Sequence, residues 1–97
     1  MNKARYDGRM QHLNITVTGK VQGVFFRDTA RRVATELGLT GFARNEPDGS
    51  VYIEAEGSEN ALRKFVEWCQ TGPELANVDN VTTAEGEIAD YHGFETR

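Results

Sequence analysis

The chain contains the stretch Gly19-Lys20-Val21-Gln22-Gly23-Val24-Phe25-Phe26-Arg27, which has the features of an anion-binding loop. Gly19 and Gly23 allow backbone conformations that a side chain forbids, so successive N–H groups can turn toward one point. A helix is predicted to begin near Phe26, where unpaired first-turn amides carry the positive end of the helix dipole. Arg27 adds a planar, permanently charged fork that can hold two phosphate oxygens. The stretch therefore predicts a phosphate site.

The residues on either side of this loop predict a strand and a helix. Leu13, Ile15 and Val17 alternate with polar residues, which is the period of a half-buried strand. After the loop, apolar residues recur at helical spacing, and Gly38 suits the end of the helix because glycine readily becomes left-handed. The predicted apolar stripe comprises Phe26, Ala30, Val33, Ala34 and Leu37.

The rest of the chain continues this alternation of element types. The predicted elements are a strand over 40–45, a turn over 46–49, a strand over 50–56, a helix capped by Ser58 and ended by Gly72-Pro73, a strand over 78–87 and a short strand containing Phe94. The order is βαββαβ with a trailing strand. It predicts an α+β two-layer sandwich, with two helices on one face of a mostly antiparallel sheet.

The size and composition are those of a soluble, single-domain protein. The chain has 97 residues, of which 38% are hydrophobic and 27% are charged. No apolar run approaches the ~20 residues that a membrane-spanning helix needs. Residues 1–12 lack the apolar core of a secretory signal, and we interpret them as a flexible tail before a domain formed by residues 13–97.

The few cysteine and histidine residues offer no recognisable metal site. Cys69 is the only cysteine, so no disulfide can form within the chain, and we expect a reducing, cytoplasmic setting. Its neighbours at helical spacing are apolar, which favours a core position. His12 and His92 do not have metal-ligand spacing with it. The sequence therefore predicts no metal.

Charge is unevenly distributed along the chain. The net charge is −4, but residues 20–45 carry +3 and residues 46–97 carry −9. Positive charge thus lies in the segment that contains the loop, which favours a small anionic ligand. An acidic chain with a local basic patch is a poor candidate for general nucleic-acid binding. We expect no nucleic-acid partner and a monomer.

The loop and a second segment together resemble the acylphosphatase family. Residues 19–27 are similar to the first motif of that family, and Gly41-Phe42-Ala43-Arg44-Asn45, followed by Gly49, Val51 and Gly57, resembles the second. The resemblance covers residues 13–97. It implies a ferredoxin-like fold with strand order 4-3-1-2-5, and catalytic roles for Arg27 and Asn45. The ending Glu95-Thr96-Arg97 departs from the family pattern, so we expect a weakly held last strand.

The available residue types limit the chemistry. The sequence offers no strong candidate for a Ser-His-Asp set or a pair of catalytic carboxylates. Phosphoryl transfer needs positioning and charge stabilisation more than covalent assistance. A carboxylate leaving group, whose conjugate acid has a pKa of about 4, departs without an enzyme acid. These features favour hydrolysis of an acyl phosphate to a carboxylate and inorganic phosphate, without cofactor.

The predicted site divides the work between the loop and the end of the second strand. The amides of Val21, Gln22, Gly23, Val24, Phe25 and Phe26, with the guanidinium of Arg27, bind the phosphoryl group. Asn45 accepts a hydrogen bond from water and holds it for in-line attack. Asp28 could serve as a base, although an acid in a first helical turn more often compensates the dipole.

Several alternatives remain at this point. Asn45 is also a common residue at the end of a strand before a turn, and Gln22 could brace the loop or contact substrate. The same fold could form a non-catalytic module that binds an anionic metabolite, or a domain of a larger hydrogenase-maturation factor. An RNA-binding sheet of similar order would need exposed aromatic residues and a basic surface, which the sequence does not clearly offer.

Overall fold

The computed structural model describes residues 10–97, and these residues form five strands and two helices. The predicted order of elements is confirmed. The elements are β1 Gln11–Lys20, α1 Phe26–Glu36, β2 Thr40–Asn45, β3 Val51–Gly57, α2 Glu59–Thr71, β4 Asn77–Glu85 and β5 Phe94–Thr96.

The strand β1 begins earlier than the sequence predicts. The predicted tail includes Gln11 and His12, but both pair with β3, and His12 is buried. His12 lies on the face of β1 opposite Ile15 and Val17, and Gln11 shares their face but is polar, so neither residue extends the apolar pattern. The rest of the predicted tail, residues 1–9, lies outside the described residues.

The sheet has the order β4-β1-β3-β2-β5, so the order 4-3-1-2-5 that the family resemblance implied is wrong in its centre. β2 and β3 are joined by a short turn and pair antiparallel, from Thr40↔Glu56 to Asn45↔Val51. A connection of this length requires its two strands to be neighbours. β3 also pairs with β1, so it lies between β1 and β2. Of the four strand pairings, β2 with β5 is the parallel one.

Both helices cover one face of this sheet and form the core with it. Side chains of β1 and β3 alternate, so that Ile15, Val17, Val51 and Ile53 are fully buried against the helices. Each helix contributes a stripe at helical spacing. The buried helix residues are Phe26, Ala30 and Ala34 of α1 and Leu62, Phe65 and Cys69 of α2.

The opposite face of the sheet is partly covered by residues 86–93, which we call the strap. Glu56 on this face is fully buried and accepts hydrogen bonds from the backbone N–H groups of Ala89 and, at 2.9 Å, of Asp90. His12 Nδ1 lies 2.7 Å from Glu56 Oε2. Burial alone would raise the pKa of Glu56, but the amide of Ala89 and the side chain of His12 lower it. The carboxylate thus fastens the strap to the sheet.

The last strand is short but well anchored within the described residues. β5 is three residues long, and Phe94 is buried in the core. Arg97 N–H donates to Ala43 O at 2.8 Å, and its guanidinium lies 4.1 Å from the centre of the Phe42 ring. The cation–π contact and the ladder hydrogen bond therefore hold the polar ending that departs from the family pattern.

Over residues 10–97, neither helix has the length and apolar character needed to cross a membrane.

Candidate active site

The candidate site is formed where β1 passes into α1. Gly19 has a φ of 122°, and a Cβ there would lie 2.3 Å from Asn77 O in β4, so only glycine permits this close approach. The chain then turns through Gly23 and Phe25, with φ values of 75° and 67°. α1 begins at Phe26, so the turn leads directly to the helix N-terminus. The chain turns here because Gly23 and Phe25 both adopt the left-handed conformation.

The structure brings the loop, Arg27 and Asn45 to one pocket of about 220 Å³. The end of β2 lies beside the loop because β3 places β2 two strands away from β1 and parallel to it. Two loop residues of the predicted cradle point elsewhere: Val24 is buried in the core, and the Gln22 amide faces the β2–β3 turn. The lining residues are Val21, Gly23, Phe25, Phe26, Arg27, Asp28 and Asn45.

The Arg27 guanidinium is held at the pocket by Arg97, the residue that follows β5. Arg27 Nη1 donates to the main-chain oxygen of Arg97 at 2.8 Å. Among the described residues, Arg27 is the only basic one that lines the pocket. Arg44, which precedes Asn45, pairs with Glu46 at 2.6 Å on the other face of the sheet. The fork of Arg27 is thus fixed in place while most of its N–H groups remain available for an anion.

The Asn45 side chain has a free acceptor. Its Oδ1 is buried, and no donor within residues 10–97 lies at hydrogen-bond distance from it. A buried polar atom without a partner is uncommon and is costly unless something else satisfies it. Asn45 lines the pocket, and its role as the acceptor for water stays a prediction.

Gln22 contacts the β2–β3 turn, a contact that the sequence left open. Its Nε2 donates to Glu46 O at 2.8 Å and to Ser50 O at 3.0 Å. Within the same turn, Asp48 accepts from the hydroxyl and N–H of Ser50 at 2.6 and 2.9 Å. Both hydrogen bonds lower the pKa of Asp48, and the bond from the Ser50 hydroxyl has the larger effect. The turn beside Asn45 is therefore held both internally and from the cradle loop.

Phe25 stands at the rim of the pocket. Its side chain is 69% exposed, which is unusual for a large apolar ring. Its carbonyl accepts from Thr29 Oγ1 at 2.8 Å and from Thr29 N at 3.1 Å, so its left-handed backbone is fixed by the first turn of α1. The ring thus forms an apolar edge beside the polar pocket floor.

Acidic, histidine and cysteine side chains do not assemble a metal site in the described part of the chain: no group of three or more of them could hold an ion. The donors that line the pocket suit an anion instead. They are a guanidinium and the N–H groups at the start of α1. Asp28 lines the same pocket and is the acidic side chain closest to this helix start.

Comparison with known proteins gives consistent results. The family model described as Acylphosphatase matches residues 13–96. An acylphosphatase of Nocardioides sp. is 46% identical over 92 residues, which cover 94% of this chain and 93% of that protein. The structure of an acylphosphatase from Coxiella burnetii superposes with a TM-score of 0.88 at 41% identity, covering 91% of this chain and 93% of that one. Full-length HypF, in a phosphate- and nucleotide-bound form, superposes with a TM-score of 0.87 at 30% identity over 93% of this chain, but over 12% of its own length.

Proposed function

The chain belongs to the acylphosphatase family and hydrolyses acyl phosphates, and we propose that it does so with Arg27, Asn45 and the backbone amides of residues 21–26. The observation that carries this assignment is the common pocket of the loop, Arg27 and Asn45. The reaction breaks the bond between phosphorus and the carboxyl oxygen and forms a bond between phosphorus and the water oxygen. Its products are a carboxylate and inorganic phosphate.

The phosphoryl group binds at the start of α1. Left-handed residues at Gly23 and Phe25 turn the loop backbone, and the helix N-terminus adds the positive end of its dipole. Arg27 supplies a full positive charge and two parallel N–H donors. In the transition state, negative charge spreads over the equatorial phosphoryl oxygens, so these donors stabilise it more strongly than they stabilise the substrate.

Asn45 holds the attacking water. Its buried Oδ1 can accept one hydrogen bond from water and so direct a lone pair of that water toward phosphorus. An amide oxygen does not take the proton. The proton passes late in the step to a phosphoryl oxygen of the substrate, so that no enzyme base is required. Asp28 remains a helix-start residue that offsets the dipole in this mechanism.

The leaving group needs no proton donor. A carboxylate whose conjugate acid has a pKa of about 4 is stable at neutral pH, unlike the alkoxide of a phosphate monoester. No metal is required for the same reason, because the charge that develops on the departing oxygen is already delocalised. The chemistry therefore matches a pocket of anion-binding donors with one acceptor for water.

The alternative of a non-catalytic anion-binding module is not favoured. Relatives named acylphosphatase match almost the whole chain at 42–51% identity. A sensor would need the cradle and Arg27 but would have no use for a buried free acceptor such as Asn45 Oδ1. The HypF likeness fits an enzyme fold that is also found inside larger proteins.

We also propose that the protein acts as a cytoplasmic monomer on small acyl phosphates, without nucleic-acid or membrane partners. Cys69 is fully buried, and burial raises the pKa of its thiol, which opposes disulfide formation with another chain. The net charge of −4 disfavours nucleic acid. Residues 13–97, with the two strand residues before them, act as one domain. Light scattering of the purified protein tests whether it is a monomer. Cell fractionation tests whether it is cytoplasmic.

The activity is tested with a simple aryl acyl phosphate. Phosphate and carboxylate should be released in equal amounts, and inorganic phosphate should inhibit competitively. In water enriched in heavy oxygen, the label should enter the phosphate and not the carboxylate, because water attacks phosphorus. Label in the carboxylate would contradict the mechanism. Binding of phosphate without any release above the spontaneous rate would leave the binding module as the function.

A further inference from the structure

Gln22 makes contacts that neither the phosphate cradle nor the reaction itself explains. It belongs to the loop, yet its side chain leaves the pocket and reaches the β2–β3 turn. We infer that Gln22 is a positioning residue that sets the distance between the phosphate cradle and the water-binding oxygen of Asn45. The inference rests on the water-holding role proposed above for Asn45.

The hydrogen bonds of Gln22 exclude it as a phosphate ligand through its side chain. A glutamine amide nitrogen has two hydrogens to donate. Gln22 Nε2 directs them to Glu46 O at 2.8 Å and to Ser50 O at 3.0 Å. Both donors are therefore used within the protein. The remaining amide oxygen is an acceptor, and it would repel a phosphoryl oxygen.

The two acceptors of Gln22 lie directly next to Asn45 in the structure. Glu46 follows Asn45 in the chain, and Ser50 precedes Val51, the residue that pairs with Asn45 across the hairpin. Glu46 N–H also donates to Ser50 O at 2.9 Å, which closes the end of the hairpin. Gln22 thus binds both strands at the pair of Glu46 and Ser50, directly beyond the pair of Asn45 and Val51.

This link matters because Asn45 Oδ1 has no donor of its own within residues 10–97. Its position consequently depends on the backbone of the strand end. On the cradle side, Gln22 lies between the buried Val21 and Gly23, both of which line the pocket. A displacement of about 1 Å between reacting groups can lower a rate by about 10²-fold. The amide of Gln22 spans the gap where such a displacement would occur.

The test is a double-mutant cycle between Gln22 and Asn45. Gln22→Met keeps the length of the side chain but removes both donors and adds no charge. We expect it to lower kcat by about 10-fold in the native background and by less than about 2-fold in the Asn45→Ala background, because a residue that acts through Asn45 has nothing left to position. The inhibition constant of inorganic phosphate should stay within about 2-fold of the native value. Gln70→Met, the same exchange at an exposed position of α2, should leave kcat unchanged.

The outcomes separate this inference from the proposed function. A full Gln22→Met effect in the Asn45→Ala background, or a large loss of phosphate affinity, overturns the positioning role alone. Equal kcat for Asn45→Ala and the native enzyme removes the role of Asn45, and the inference fails with it. If Gln22→Met does not fold, Gln22→Asn retains the amide but is one methylene too short to reach both carbonyls, and it should give the same pattern.

The native protein provides an independent measurement by NMR. During titration with inorganic phosphate, the backbone amide of Gly23 should shift strongly. The side-chain amide of Gln22 should shift much less, because its hydrogens stay on the turn carbonyls. Equal shifts of the two groups would show that the Gln22 side chain contacts the anion.

Discussion

Arg27 combines two features that a phosphoryl-transfer site needs, a fixed orientation and a free donor edge. Its Nη1 donates to the Arg97 main-chain oxygen, and the guanidinium still lines the pocket. Arg27→Ala should lower kcat/KM for an aryl acyl phosphate by about 10³-fold or more, as expected when an arginine that stabilises transition-state charge is removed. Arg27→Lys keeps the charge but loses the planar pair of donors, so its activity should fall between those of the native enzyme and Arg27→Ala. Turnover of Arg27→Ala near the native rate would remove the central assignment.

Asn45 should affect the rate without affecting the affinity for phosphate. In the proposed mechanism its buried Oδ1 accepts from water and does not bind the phosphoryl group, whose oxygens are themselves acceptors. Asn45→Ala should therefore lower kcat by about 10²-fold. The inhibition constant of inorganic phosphate, measured in the same assay, should change by less than about 2-fold. A parallel loss of phosphate affinity would reassign Asn45 as a binding residue.

For single residues, the sequence predicted which of them line the pocket better than it predicted what each side chain contacts. Glycine spacing and a charged residue at a helix start have consequences that hold in almost any fold, so Gly23 and Arg27 could be placed. The directions of Val24 and Gln22 depend on which elements pack beside the loop. Val24 enters the core, and Gln22 meets a turn more than twenty positions away in the chain. Only the tertiary arrangement supplies that turn.

The junction of β1 and β4 supports the loop and can be tested at a single position. A Cβ on Gly19 would lie 2.3 Å from Asn77 O and 2.6 Å from Asp79 N, so β4 would have to move. With the added strain of a positive φ, Gly19→Ala should lower the free energy of unfolding by about 3 kcal/mol. Gly38 also has a positive φ, but a Cβ there meets nothing within 4 Å. Gly38→Ala should therefore cost about 1 kcal/mol, from strain alone.

Both values are measured by urea unfolding of the purified variants. The difference between them measures the collision with β4 together with the extra backbone strain of a φ of 122° over one of 79°. If the two variants were equally destabilised, the close approach of β1 and β4 at Gly19 would have no energetic importance.

The contact between the strap and the sheet should make stability depend on pH. Burial lowers the pKa of His12, but the hydrogen bonds to Glu56 and Asn14 and the charges of Glu54 and Glu56 outweigh it, so the pKa is raised. A raised pKa means that protonated His12 stabilises the folded state below its unfolded pKa of about 6.5. This contribution disappears as the pH rises through the folded pKa.

His12→Gln replaces this ionisable donor with one that does not titrate. The melting temperature of the native protein should exceed that of His12→Gln by the largest margin near pH 6, and the margin should shrink toward pH 9. His92→Gln makes the same exchange at an exposed position of the strap and serves as the matched control. A margin that stays constant with pH for His12→Gln would show that folding does not change the pKa of His12.

Hydrophobic periodicity predicted which segments form strands and helices. It did not predict the order of the strands in the sheet or the segment that covers the second face of the sheet. The short turn between β2 and β3 already requires these strands to pair, which excludes the order 4-3-1-2-5. The strap could not be predicted in this way. Glu56 and His12 occupy positions that a half-buried strand gives to solvent, and only the returning chain buries them.

In the molecule as a whole, the site lies at one end of the sheet, where the loop after β1, the start of α1 and the end of β2 meet. The parallel relation of β1 and β2 brings these parts together, and β3 between them sets their spacing. The family and its activity were predictable because one motif contains the loop and the start of α1, and the other contains the end of β2. The support that joins the two sides, through Gln22 and Arg97, became visible only in the folded chain.

The reaction as a whole should require no divalent ion. Positive charge at the pocket comes from Arg27 and the amides at the start of α1, and the carboxylate leaving group needs neither a proton nor a Lewis acid. Dialysis against EDTA should leave the rate of phosphate release from an aryl acyl phosphate unchanged. An alkyl phosphate monoester should react at least about 10³-fold more slowly under the same conditions, because its alkoxide leaving group lacks a general acid. Restoration of lost activity by magnesium, or comparable turnover of the monoester, would show that a metal or an acid takes part in the reaction.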